Sequence, residues 1–198
     1  MVESQGDGLL CTIWLLDEDG KYLHCEAAPS LPEFIAQIGR AEVCPKGASC
    51  GTAVYRGEPV YVTDILTDPL WENYRDRVLP YGIRSAWSRP LLTREGKSLG
   101  AFSVHYREPR SPSAADLQLI ENASDITGIA IERHLSEDQL RRTEAYLTEA
   151  ERLSHSGSFV WDVRRPGPVY WSPEMCRIHG RDPAQGPPLS AARCFVRD

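Results

Sequence analysis

The chain has 198 residues, enough for one full domain and part of a second at about 100–200 residues per domain. Hydrophobic residues make up 41% and charged residues 25%, as in ordinary globular proteins, so wholesale disorder is excluded. The net charge of −6 leaves no electrostatic footprint for nucleic acid or an anionic membrane surface. No apolar run approaches the ~20 residues of a membrane span, and the opening MVESQGDG is too polar for a signal peptide. These features lead to an expectation of a cytoplasmic chain with no nucleic-acid partner and no membrane contact in this segment.

Six cysteines, Cys11, Cys25, Cys44, Cys50, Cys176 and Cys194, form no Cys-x-x-Cys pair, which excludes a zinc ribbon or a thioredoxin-like motif. Without a secretory segment the compartment reads as reducing and most of the thiols are expected to be free. Cys11 and Cys25 sit in apolar, strand-like runs and read as small buried hydrophobes. Cys44 and Cys50 flank the loop 45–49 and form the one candidate redox pair.

In chain order, Leu9–Leu16 is a continuous apolar run rich in strand formers, and the turn 17–20 leads into a returning strand over Lys21–Ala28. Pro29–Pro32 opens a short helix through Ile38. A loop rich in Gly, Pro and Cys follows, then a helix over Ser49–Tyr55 and a short strand over Val60–Val62. The stretch Asp64–Pro80 carries helix-start chemistry, with Thr67 or Asp68 as cap and Pro69 in the first turn. Two strands, Ile83–Thr93 and Ser98–Arg107, are joined by the turn 94–97, and Ser113 with Asp116 forms a capping box that opens a long helix.

That helix changes character along its length. Leu117 through Ile131 is apolar on more than one side, as expected for packing on a sheet. Ten of the 21 residues from Glu132 to Arg152 are charged, and the apolar positions thin to a narrow stripe that includes Leu135, Leu140 and Leu147. A narrow stripe on a charged helix suits a two-stranded seam, and Ser113–Leu153 at 1.5 Å per residue is about 60 Å long. An isolated, solvated helix is the other reading of the same pattern. Ser158–Val163 and Val169–Trp171 then read as a hairpin, Ser172-Pro173-Glu174 starts a short helix through Ile178, and the last twenty residues show no clear structure. Residues 156–198 are too few to bury a self-sufficient core and read as the start of an incomplete domain.

The segments GASCGTAVYRGEPVYVTDILTDPLW (47–71) and YGIRSAWSRPLLTREGKSLGAFSVHYREPRSPS (81–113), with the helix ending IAIERH (129–134), resemble a bacterial subgroup of GAF domains. LTEAERLSHSGSFVWDV (147–163) and VYWSPEMCRIHG (169–180) resemble the start of a PAS domain. The resemblance implies an α+β fold: a GAF-type central antiparallel sheet of five to six strands with flanking helices, a long C-terminal signalling helix and a truncated PAS start. The implied division is a GAF domain over 1–134 with its N-terminal helix missing, a coiled-coil linker over 135–155 and an incomplete PAS domain over 156–198. GAF–helix–PAS order is typical of bacterial two-component sensor histidine kinases, so the expected partners are a small-molecule ligand, a second copy of the chain and a downstream kinase or other output domain.

By the GAF layout a small-molecule cavity lies between Asp64–Arg77 and the strand around Ser85–Arg89, with Asp64, Trp71, Tyr74, Arg75, Ser85, Trp87 and Arg89 as candidate ligand-binding residues. Trp71 and Trp87 also fit as core packing helix on sheet, and Asp64 with Arg75 as a surface pair. Residues 64–90 contain neither Cys nor His, which argues against a covalent bilin, and no cyclic-nucleotide signature is recognisable. His24, His105 and His134 read as partly exposed structural histidines rather than haem ligands, so no cofactor and no metal is expected.

Cys44, Cys50 and Gly51-Thr52-Ala53 resemble the loop of GAF-type free-methionine sulfoxide reductases, but the further cysteine that family places near 74–85 is absent. There is no phosphate loop, and no kinase core is present, so the chain is not expected to be an enzyme. The expected function is non-covalent ligand sensing relayed through a helical dimer. A thiol-dependent reductase and a purely structural dimerisation module remain the alternatives.

Overall fold

The computed structural model describes residues 8–31, 33, 39–162, 168–185 and 187. Two compact units divide the chain between His134 and Leu135. The expected helix through Ile38, Cys194 and most of the last twelve residues lie outside the described residues.

The first unit is built on a six-stranded, wholly antiparallel sheet: β1 (Leu10–Leu16), β2 (Tyr22–Ala27), β3 (Arg40–Glu42), β4 (Val60–Val62), β5 (Ser85–Leu92) and β6 (Ser98–Tyr106), in the spatial order β3-β2-β1-β6-β5-β4. The β1–β2 turn is closed by Asp17 N–H donating to the Tyr22 carbonyl at 2.9 Å, with Gly20 in the left-handed region. The β5–β6 turn does the same with Thr93 N–H to the Lys97 carbonyl at 2.8 Å.

Side chains alternate across each strand, so the sheet has two apolar faces. Leu10, Trp14, Ala86 and Ala101 face helix α1 (Ala48–Arg56) and the irregular segment 64–81, which carries the short helix α2 (Arg75–Val78). Cys11, Trp87, Phe102, Val104 and Tyr106 face helix α3 (Ala114–Ser154) through Ile120 and Ala123. The capping box at the start of α3 forms as its sequence requires: Ser113 Oγ accepts the Asp116 N–H at 3.2 Å, and Asp116 Oδ2 accepts the Ser113 N–H at 2.8 Å.

Strand β3 falls where the sequence pattern reads as loop. Three residues are too short for an alternating signature, and the strand exists because β2 supplies its ladder and α1 packs on it. Two glycines allow that approach. A Cβ on Gly47 would stand 1.8 Å from the Glu42 carbonyl oxygen, and one on Gly51 would stand 2.0 Å from it. His105 corrects another expectation: it is buried, since its strand position faces the α1 core, and it shares a 3.0 Å hydrogen bond with Thr12 Oγ1. His24 is partly exposed and meets Asp17 at 2.9 Å, and His134 is exposed on α3.

In the second unit β7 (Phe159–Trp161) and β8 (Pro168–Trp171) form an antiparallel hairpin, followed by helix α4 (Pro173–Ile178). Ser172 Oγ caps α4 by accepting the Met175 N–H at 3.3 Å and also accepts the Ser158 N–H at 3.0 Å. Trp171, Met175 and Cys176 are its small core. No helix among the described residues is long and apolar enough to cross a membrane.

Candidate functional site

The segment 64–81 is held by its own polar side chains. Asp64 accepts from Arg84 through both oxygens at 3.0–3.3 Å and from Leu66 N–H at 3.1 Å, and the Arg84 hydrogen bonds hold its carboxyl below the usual range. Arg75 donates to the carbonyls of Ile65 at 3.0 Å and Asp68 at 3.1 Å, while Asp68 caps the turn Pro69–Trp71. Asp64 and Arg75 therefore do not pair with each other as the sequence allowed. They brace the turns that carry Trp71 and Tyr74.

Trp71 and Tyr74 wall a cavity of about 10 Å³ together with Trp14, Arg40, Ala41, Ala48 and Cys50. That volume holds about one water. The two indoles differ in their donors. Trp14 Nε1 donates to Thr12 Oγ1 at 2.8 Å, whereas Trp71 Nε1, on a side chain buried to 4% exposure, has no acceptor among the described residues. A buried donor left without a partner costs about 1–3 kcal/mol, which gives a ligand with an acceptor oxygen something to recover. The Tyr74 hydroxyl accepts the Glu42 N–H at 3.3 Å, and burial raises its pKa.

The other three candidate residues lie on the opposite face of the sheet. Trp87 stacks at a tilt on Tyr106, with centroids 5.0 Å apart, and donates to the Arg110 carbonyl at 3.2 Å. Arg89 pairs with Glu121 at 3.0 Å and Asp125 at 3.7 Å on α3, and lines a separate cleft of about 130 Å³ with Pro59, Ser124 and Asp125. Ser85, two residues before Trp87, is buried on β5 opposite Tyr106. The period of two assigns them there: the β5 residues facing α1 are Ala86 and Ser88, and Ser88 Oγ donates to Ser49 Oγ at 2.9 Å.

Trp14, Arg40, Ala41 and Ala48 were not among the residues singled out from the sequence. Alternation along β1 is the signal that points Trp14 to the same face as Thr12; Arg40 and Ala41 carry no local signal, because β3 is too short.

Cys50 is buried, and desolvation pushes its thiol up to about 12. Burial pushes Cys25 up to about 12 as well, while Cys44 is half-buried; Cys11, Cys25, Cys44, Cys50 and Cys176 are all unbridged. A high thiol pKa is the reverse of what thiolate chemistry needs. Among the described residues no group of three His, Cys, Asp or Glu side chains is arranged to hold a metal ion. Leu135, Leu140 and Leu147 are all exposed on α3.

A curled antiparallel sheet with α1 and an aromatic-walled cavity on one face and a long helix on the other is a GAF architecture, and the GAF domain family matches residues 1–132. The chain belongs to the GAF domain family. Among curated proteins, this GAF chain is 35% identical over 143 residues to a methyl sulfide methyltransferase-associated sensor of Methanosarcina acetivorans, covering 72% of the present chain. It spans only 14% of that protein's length. Among solved structures it resembles a domain assigned to a two-component sensor histidine kinase of Sinorhizobium meliloti 1021, with TM-score 0.56 and 20% identity over 71% of this chain and 90% of that one. It also resembles the GAF domain of a phosphoenolpyruvate-protein phosphotransferase from Coxiella burnetii, with TM-score 0.58 and 14% identity over 69% and 79% of the two chains. At these identities the two structures speak to the fold.

Proposed function

We propose that this GAF domain is the sensory module of a signal-transduction protein, that it binds a small molecule non-covalently at the Trp14–Trp71–Tyr74 cavity, and that it relays occupancy through α3 in a homodimer. The observation that carries the reading is the cavity itself: apolar and aromatic walls that include Trp71, whose buried indole N–H lacks an acceptor among the described residues.

A route from cavity to helix is at hand. Cys50 walls the cavity while its neighbour Ser49 meets Ser88, which in turn meets Ser103 at 2.8 Å. Trp87 and Val104, the next residues on those two strands, pack in one cluster with Ile120 of α3. A shift of α1 on ligand entry would therefore press on the α3 side of the sheet, a bistable arrangement of the kind signalling uses.

The heptad spacing of Leu140 and Leu147 supports a second copy of the chain as the partner of α3. The PAS-like sequence over 147–163 and 169–180 and the likeness to a Methanosarcina sensor support a place in a larger sensor protein with a downstream output domain, a histidine kinase being the reading favoured by the GAF–helix–PAS order. The module itself is proposed to be non-catalytic, and the raised Cys50 thiol speaks against the reductase alternative.

Native mass spectrometry beside a denaturing run tests the whole reading. Dimer mass with an added component that is lost on denaturation is the expected result. A bare dimer would support the purely structural alternative, and a bare monomer would remove the relay.

A further inference from the structure

We infer that the strap 107–112 is a second line of transmission, in which Arg110 couples the segment 64–81 to the first turn of α3. The inference builds on the reading of α3 as the output helix, but the coupling itself needs neither a ligand nor a dimer.

The strap ties down both ends of the segment that carries Trp71 and Tyr74. At its entry the Arg110 N–H donates to the Thr63 carbonyl at 3.0 Å, and Ser111 Oγ shares a 3.0 Å hydrogen bond with Thr63 Oγ1. At its exit Arg107 Nη1 donates to the Tyr81 carbonyl at 2.6 Å. The strap has little freedom of its own. Pro109 and Pro112 have fixed φ, and Glu108 and Ser111, each preceding a proline, are biased to extended backbone. A displacement at one end is therefore carried along rather than absorbed.

Arg110 stands where this strap meets four elements. Its backbone holds Thr63, just after β4, and its carbonyl accepts the Trp87 indole N–H of β5 at 3.2 Å. Its guanidinium lies 4.5 Å from the centre of the Tyr106 ring of β6 and donates to both Asp116 carboxylate oxygens of α3 at 3.2 Å. Asp116 does not need that ion pair to start the helix. It accepts the Ser113 N–H at 2.8 Å and the Ser113 hydroxyl at 2.7 Å, so the cap is complete without Arg110. What the guanidinium adds is register between strap and helix. The pair is 35% exposed on the arginine side chain and 13% on the aspartate, and Asp116 keeps its Ser113 donors when it opens, so opening strands no buried charge.

The test perturbs the helix and reads the segment. Ser113→Ala removes the cap hydroxyl, and amide hydrogen exchange of the whole chain is followed at Ile65, Thr67 and Asp68, whose N–H groups bond to the Arg84 and Asp64 carbonyls. Exchange over residues 114–120 should rise about threefold or more whether or not Arg110 is present, as loss of an N-cap requires. At Ile65, Thr67 and Asp68 it should rise by about threefold with Arg110 in place and stay within about 1.5-fold in the Arg110→Gln background, the non-additivity that marks coupled sites. A residue that only stabilises the fold would speed exchange in both regions of Arg110→Gln and leave the response to Ser113→Ala intact. That result overturns the inference, as does a silent segment with Arg110 in place. Asp116→Asn cuts the same ion pair from the helix side, while its amide oxygen can still accept the Ser113 N–H, and serves the same comparison should Arg110→Gln not fold. Either failure leaves the route through the sheet and the dimer reading standing, and a bare monomer in native mass spectrometry would leave this coupling standing in turn.

Discussion

Gly51 lies so close to Glu42 that a Cβ built on it would stand 2.0 Å from the Glu42 carbonyl oxygen. Helix α1 rests directly on the backbone of strand β3 at this point, and both Cys50 and Ala41, immediate neighbours of the two residues, line the cavity. The contact therefore sets the position of two cavity walls at once.

Gly51→Ala should force α1 off β3 and cost about 3 kcal/mol, at the upper end of overpacking effects. Gly57→Ala is the control: it has open space around it and pays only the left-handed backbone cost of about 1–2 kcal/mol. Urea denaturation of both variants reads the difference. A Gly51→Ala protein as stable as the control would mean that the close approach does not matter.

Burial lowers His105 from the ordinary 6.5 to about 4. Between those values the unfolded chain takes up a proton that the folded chain refuses, so this stability is present above pH 6.5 and is lost as the pH falls toward 4. The gap corresponds to about 3 kcal/mol. Urea midpoints measured at pH 7 and pH 4.5 should fall further for the wild type than for His105→Gln. Parallel falls would assign the acid sensitivity elsewhere.

Thiol reactivity should follow burial. Iodoacetamide at pH 8 is expected to alkylate Cys44 in the folded protein, while Cys25 and Cys50, both pushed up to about 12, react only after denaturation. Peptide mass spectrometry over a time course reads the order. Fast labelling of Cys50 in the native state would revive thiolate chemistry at this loop.

Leu140 and Leu147 are 60% and 62% exposed and seven residues apart on α3. Leu140→Gln with Leu147→Gln should weaken self-association at least tenfold in sedimentation equilibrium, while the thermal midpoint of the first unit stays put. An unchanged dimer would remove this stripe from the interface.

Period-two alternation, turn residues and the Ser113–Asp116 capping box are local signals, and they determined most of the strands and helix α3, while the GAF character was legible as a resemblance in the segments 47–71, 81–113 and 129–134. The same locality explains what they left open. Strand β3 has three residues and exists only because β2 pairs with it and Gly47, just before α1, and Gly51, within it, let the helix approach. Which tryptophan walls the cavity is likewise a tertiary matter. Trp71 and Trp87 are alike as apolar residues in sequence, but Trp87 sits on a strand whose pleat turns it toward α3, while the Asp64 and Arg75 hydrogen bonds hold the turns that place Trp71 against α1 and Trp14. A cavity assembled from four separate segments depends on long-range packing, and no local pattern encodes it.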